Sequence, residues 1–259
     1  MAEGWHGDEY AAQSAHHRSL DEWFVSRHPP ARTDVVVDAG SGSGEFTARL
    51  AALVPEGRVV GVEPDASMLA AAMPEARDNL EFRHGPLQAL DRICGPESAD
   101  LVVSRAVFHW IPWREYARCY EAVFRTLKPG AWFHSESGGA GNVHRVRTVL
   151  DAIAARHGLP NAAVSFPDAG RVMDLLERAG YAIPTGGVMT VAQRRPFDRV
   201  ALEGFLRTQA SLAYVAHATS ATRDAFVAEV VANVDELRRN DGTYDQTFVR
   251  LDVLVQRPA

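Results

Sequence analysis

Thiols and lysines are scarce in this chain of 259 residues. Its two cysteines, Cys94 and Cys119, fall short of the ligands of a tetrahedral zinc site, so no metal site is expected. They form no disulfide framework either, and a reducing compartment is the simplest setting. Lys128 is the single lysine among 27 basic residues, which leaves 26 arginines. With the many alanines, that bias reads as the codon usage of a GC-rich bacterial genome. Positive charge is not in excess. The formal net charge of −6 provides no overall field for a phosphate backbone, so a nucleic-acid partner is not expected. Long apolar runs are missing as well. None approaches the ~20 residues of a membrane span, and the opening residues lack the apolar core and basic leader of a signal peptide. These absences together point to a cytoplasmic protein with no membrane partner. Nothing in them indicates the oligomeric state.

What is present is apolar content, 46% of the residues, enough for one large α/β domain over 1–259. Residues 1–33 read as a helical arm, with Leu20, Trp23 and Phe24 at helical spacing. From residue 34 short apolar runs alternate with helical stretches. Strands are predicted at 34–38, 58–62, 80–84, 100–104 and 131–135. Helices are predicted at 44–53, 65–77 and from Pro112 to Leu127, the last with Trp113, Tyr116, Tyr120, Val123 and Phe124 on one face. This alternation implies a mostly parallel sheet with right-handed crossovers and helices on both faces. The rhythm loosens over 138–246. Helices are expected there at 141–157, 167–179, 198–216 and 220–239, with a sixth strand near 182–191. These extra helices read as a cap over the carboxyl edge of the sheet, and 247–259 supplies a seventh, last strand. The arm precedes the first strand and is expected to cover the cleft from outside as a lid.

The strongest local signal runs from Val35 to Glu45, VVVDAGSGSGE. Gly40, Gly42 and Gly44 follow a strand ending in Asp38-Ala39 and open a helix. Glycines there permit a tight turn and close backbone approach by a ligand, and the helix amino end supplies free N–H groups. A dinucleotide loop needs G-x-G-x-x-G. Counting from Gly40, the last position holds Glu45; counting from Gly42, it holds Thr47. An acid at the helix start also repels a pyrophosphate. This disfavours a nicotinamide oxidoreductase and favours a ligand with an amino-acid tail. The second strand ends at Glu63, where an acid accepts ribose hydroxyls.

These residues carry a resemblance. The chain resembles class I S-adenosylmethionine (SAM)-dependent methyltransferases in VVDAGSGSG, VVGVEPDASML, ADLVVSRAVFHWI and VFRTLKPGAWF. The later segments VSFPDAGRVMDLLERAGY, FLRT and DGTYDQTFVRLDVLVQRP are similar to the trans-aconitate methyltransferase branch. The arm, Tyr10 to His17, with His109-Trp110, is similar to juvenile hormone acid methyltransferases. The resemblance implies a Rossmann-like sheet of seven strands and SAM as cofactor. It places Asp38, Gly40 and Gly42 at the methionine part and Glu63 at the ribose. Pro64, Met68, Gly85, Pro86 and Leu87 would surround the adenine, and Ser104 would lie under the methionine. Apart from the resemblance, Arg18 is read either as a partner of the SAM carboxylate or as a solvated surface cation. Pro86 stands where such enzymes have an adenine-binding acid, so Gln88 or a backbone carbonyl would substitute.

The segment from Ser104 to Trp113 crosses the carboxyl edge of the sheet. Methyl transfer is an in-line displacement that needs alignment and exclusion of water. His17, His109 and Trp110 are the candidates to hold the acceptor, a small molecule. Glu136 is read as a base or a surface acid, and Arg250 as structural. No general base is obvious, which favours an already ionised carboxylate oxygen as acceptor. Phenol, amine or carbon acceptors are the alternatives, as is a SAM-fold protein that transfers no methyl group.

Overall fold

A computed structural model describes residues 15–215 and 218–259, with side chains from Asp21 onward. Seven strands form one sheet: β1 (Val35–Ala39), β2 (Arg58–Glu63), β3 (Leu80–His84), β4 (Ala99–Arg105), β5 (Leu127–Gly138), β6 (Val188–Arg195) and β7 (Gln246–Gln256). Their order is β3-β2-β1-β4-β5-β7-β6. The first five are parallel, and β7 runs antiparallel to both β5 and β6. After β1 the chain proceeds outward through β2 and β3, then returns to lay β4 on the other side. This reversal opens a crevice at the carboxyl end of β1, where open α/β sheets take their ligands.

Alternation along the strands divides the core. Val37, Val102 and Phe133 point into one layer, packed by Leu90 of α4 (Leu90–Cys94), by Tyr116, Tyr120 and Val123 of α5 (Tyr116–Thr126), and by Val172 and Leu176 of α7 (Ala169–Ala179). Val36, Leu101 and Val103 point the other way, against Leu50 of α2 (Glu45–Leu53) and Phe24 of α1 (Ala15–Arg27). Such period-2 alternation is what a strand buried on both faces requires. A third cluster forms the cap. It joins α6 (His144–Arg156), α8 (Arg199–Phe205), α9 (Leu212–Val215) and α10 (Ser220–Ala232), with Val146, Leu202, Tyr214, Phe226 and Val230 buried and Phe248 of β7 against them. Among the described residues no helix is long and apolar enough to cross a membrane.

Several boundaries differ from the sequence expectation for local reasons. The helix after β2, α3, spans Ala66–Ala72 and tightens into a turn at Met73–Glu75, because Pro74 cannot continue it. A short helix that the sequence pattern did not mark, Leu90–Cys94, precedes β4. Lys128-Pro-Gly130 does not precede β5 but lies inside it. The expected helix at 198–216 is interrupted by a π-type turn at Leu206–Ala210.

The arm also differs. A lid was expected, yet the second half of α1 is part of the core. Phe24 is 1% exposed and stacks on His134 with centroids 3.7 Å apart and planes 7° from parallel. Arg27 pairs at 2.8 Å with Asp252 of β7, whose other oxygen meets His134 Nε2 at 2.9 Å. Asp21 pairs with Arg49 and Arg105. Phe24, one of the apolar residues that marked the arm as helical, is what docks the helix.

Phe24→Ala is therefore expected to destabilise the protein by about 3–5 kcal/mol, the range for emptying a buried aromatic site. Urea denaturation checks this. A loss below about 0.5 kcal/mol, as for a surface position, would restore the arm as a detached lid.

Candidate functional site

The glycine loop follows from the register of β1. Gly40, Gly42 and Gly44 adopt φ of 87°, 55° and 84°, the left-handed region that glycine enters without penalty. Gly40 has a second reason: a Cβ there would lie 2.3 Å from the Val107 side chain. Gly40 and Ser41 donate to the carbonyl of Val62 at 2.7 and 3.1 Å, which ties the loop to the end of β2.

Glu63 completes that tie. Its Oε2 accepts the Gly42 N–H at 2.9 Å and its Oε1 accepts the Asp65 N–H at 3.0 Å. Each oxygen keeps a further lone pair for a ligand hydroxyl. Burial raises the Glu63 carboxyl above its ordinary range, with the two N–H groups acting in the opposite direction. Asp65 caps α3 by accepting from Ser67 and Met68. Met68 is buried, and its Cε lies 3.4 Å from where a Cβ on Gly42 would stand. Leu87 is buried nearby in sequence to Gly85, whose N–H bonds the Glu63 carbonyl at 3.1 Å. Pro86 is exposed. The Pro64 carbonyl meets His84 Nε2 at 3.0 Å, a partner that sequence reading overlooked.

A cleft of about 330 Å³ opens beside the loop, lined by Asp38, Gly40, Gly42, Phe46, Arg105 and Ala106 among others. Burial pushes Asp38 up to about 7, with a 2.7 Å hydrogen bond from Thr47 opposing and the charge of Glu63 adding. Ser104, expected from the resemblance under the methionine, is fully buried, and its hydroxyl donates to the Ala39 carbonyl at 2.7 Å, which holds the start of the loop from β4.

A second cavity, of about 100 Å³, lies under the cap and shares Ala106 with the cleft. Ala106 has φ of 55°, a strained value of the kind that recurs at functional sites. His109 and Trp110 line this cavity. Burial and the charge of Arg250 push His109 down to about 3, with Glu136 opposing. Its Nδ1 accepts the Gly138 N–H at 3.4 Å. His109 is thus a neutral, weakly basic wall. Glu136 is neither a surface acid nor a free base. It is 1% exposed and held in a two-pronged pair by Arg250, with Nη2–Oε2 at 2.7 Å. Burial alone would raise it, but Arg250, with Arg105 and His109, holds it below the carboxylate range. Arg250 is structural as expected. Phe108 is core, stacked on Tyr120 at 5.0 Å. The side chains of His17 and Arg18, and all of Tyr10, lie outside the described residues. Sequence reading missed Arg147 and Arg195, which also line the cap cavity. Nothing in their local spacing marks them.

Residues 36–130 match the family model of a methyltransferase domain. Trans-aconitate 2-methyltransferase of Deinococcus radiodurans is 35% identical over 130 residues, covering 49% of this chain and 46% of that protein. The same enzyme of Azoarcus is 30% identical over 126 residues, 49% of this chain and 47% of that protein. The matched part thus spans about half the length of these relatives. Among solved structures, the YcgJ protein of Bacillus subtilis superposes with a TM-score of 0.63 at 16% identity, over 94% of this chain and 100% of that one. Phosphoethanolamine N-methyltransferase 2 of Haemonchus contortus, solved with phosphomonomethylethanolamine and S-adenosylhomocysteine, gives 0.61 at 16%, over 98% of this chain and 57% of that one. The Rossmann-like α/β fold is the one these structures share.

Glu63→Gln leaves one carboxamide nitrogen facing a backbone N–H. The ligand-free protein should lose about 1–3 kcal/mol, the cost of a buried group without its partner. Denaturation of both proteins without ligand measures it. Equal stability would mean that Glu63 does not hold the loop.

Proposed function

We propose that the methyltransferase domain carried by residues 36–130 makes this chain a SAM-dependent methyltransferase that transfers a methyl group to a carboxylate oxygen of a small molecule. The observation that carries this reading is the Glu63 carboxylate, bonded at once to Gly42 of the glycine loop and to Asp65, with lone pairs still open to a ribose. An acid at the start of α2, Glu45, supports a ligand without phosphates.

The residues fit the cofactor. Gly40 and Gly42 admit its methionine part, Asp38 attracts its ammonium group, and Glu63 accepts from the ribose. Pro64, Met68, Gly85, Pro86 and Leu87 border the adenine, with Ser104 holding the loop from beneath. Arg18 serves the cofactor carboxylate and His17 the acceptor. When bound, SAM supplies an electrophilic methyl on a cationic sulfur. The chain aligns the acceptor across Ala106 and excludes water. Trp110 and His109 form the acceptor wall. A carboxylate is already ionised near neutrality, which suits a site where Glu136 is committed to Arg250 and His109 is weakly basic. Residues 34–137 bind the cofactor and 138–246 cap the acceptor within one domain. The net charge and the free thiols of Cys94 and Cys119 support a cytoplasmic enzyme with neither nucleic-acid nor membrane partners.

Incubation with SAM and a panel of acids, phenols and amines should yield methyl esters by mass spectrometry, with turnover at saturating SAM nearly flat above about pH 6. A product methylated on nitrogen, carbon or a phenolic oxygen would overturn the carboxylate assignment alone.

Cofactor binding should also release a proton. A bound ammonium favours the ionised form of Asp38, which near pH 6.5 is largely protonated in the free protein because burial pushes it up to about 7. SAM affinity therefore rises from pH 6 to 8 and levels off above. Calorimetry in buffers of different ionisation enthalpy reads the released proton. Asp38→Asn should abolish it, and NADH should give no heat. No proton release in the unsubstituted protein would place the ammonium elsewhere.

A further inference from the structure

The cap cavity has an unusual charge balance. Its wall is mainly apolar and aromatic, including Trp110, Phe166, Phe205 and Phe248. Arg147, Arg195 and Arg250 also line it. Arg250 is neutralised by Glu136. Among the described residues no carboxylate lies within ion-pair distance of the other two; Arg147 hydrogen-bonds Tyr214, whose hydroxyl donates to Asp151 at 2.6 Å, and Glu136 acts on Arg195 only from a distance.

Both guanidinium groups lie over aromatic rings that belong to the same wall. Arg195 lies 4.3 Å from the centroid of Phe248, and Arg147 lies 5.2 Å from that of Phe166. Stacking fixes the plane of a guanidinium and leaves its N–H edge to bond a planar anion. The Nε of Arg147 is buried and has no hydrogen-bond partner, a state that costs free energy until an acceptor arrives. Burial, with the charge of Arg250 nearby, pushes Arg195 below its ordinary value, with the charge of Glu136 opposing. Phe166 in turn packs against His109, 5.9 Å between centroids, so the cations share the wall that faces the acceptor.

We infer that this cavity selects an acceptor with an apolar or aromatic body and a second carboxylate, distinct from the one methylated, which Arg147 and Arg195 bind together. This deepens the carboxyl methyltransferase reading and rests on it for the methylated group. The apolar wall separates such a substrate from trans-aconitate, whose three carboxylates leave little surface to bury in contact with four aromatic rings. Arg147 and Arg195 are specificity residues here. They touch the far end of the acceptor and take no part in methyl transfer.

The probes are phenylsuccinate, 3-phenylpropanoate and trans-aconitate. The first two share a ring and chain and differ by one carboxylate. Calorimetry is run on the protein alone and with S-adenosylhomocysteine, so that the cavity is tested whether or not the cofactor binds. Phenylsuccinate should bind tighter than either of the others. Arg147→Gln and Arg195→Gln should each cut its preference over 3-phenylpropanoate by about tenfold or more, the scale of a charged hydrogen bond, while Arg→Lys at either position should retain part of it. Trans-aconitate binding tighter than phenylsuccinate, no binding of phenylsuccinate, or equal losses for both phenyl acids in the Gln variants would overturn the proposal. The functional reading fails separately. Arginine-dependent binding of phenylsuccinate with no methyl ester formed upholds the charge selectivity and removes the transfer to a carboxylate.

Discussion

The Glu63 carboxylate accepts two backbone N–H groups from the segments that follow two neighbouring strands, one from Gly42 after β1 and one from Asp65 at the start of α3 after β2. The rest of the glycine-loop side depends on that bond pair. The glycine loop has no side chains with which to hold itself, and its backbone conformations are open to glycine in many arrangements. The two carbonyl bonds to Val62 and the carboxylate bond to Gly42 choose one of them. The same carboxylate sets the distance between loop and α3, and so fixes where Met68 meets Gly42. Removing water from this acid raises its carboxyl, and the two N–H donors offset part of that cost.

Charges buried farther along the sheet do a different task. Glu136 with Arg250, and Asp252 with Arg27 and His134, lie on neighbouring antiparallel strands β5 and β7 or bridge from them to α1. Buried ion pairs seldom add much stability, because desolvation consumes most of the Coulomb gain. Removing one partner is costly, however, so such pairs define which elements meet. Here they set the register of the last strand and the seat of α1. They also occupy the two groups, Glu136 and Arg250, that the crevice would otherwise present as acid and cation.

Between the cleft beside the glycine loop and the cap cavity stands the strained backbone of Ala106, with Val143 at φ 42° on the far wall. Left-handed backbone at a β-branched residue is rare and needs support from its surroundings. Val143 donates its N–H to Thr247 at 3.0 Å and Ala106 donates to Glu136 at 2.7 Å. Strain on both walls is thus held by the antiparallel end of the sheet, where the parallel part meets the cap.

Local patterns in the chain determined the strand–helix alternation, the aromatic face of α5, the glycine loop and Glu63 at the end of β2. Each depends on residues close in sequence: a period of two, a helical stripe, or a turn that needs positive φ. The spacing of Gly40, Gly42 and Glu45 was enough to turn away a dinucleotide. Tertiary structure alone decided the rest. Glu136 meets Arg250 across 114 positions and Arg27 meets Asp252 across 225, so no window of sequence contains either pair. Whether a helical arm docks or swings depended on a ring from β5 stacking under Phe24. The cations of the cap cavity, Arg147 on α6 and Arg195 at the end of β6, look in sequence like any surface arginine. Only the fold brings an aromatic ring under each, because which residues meet across the cavity is a property of the packed whole.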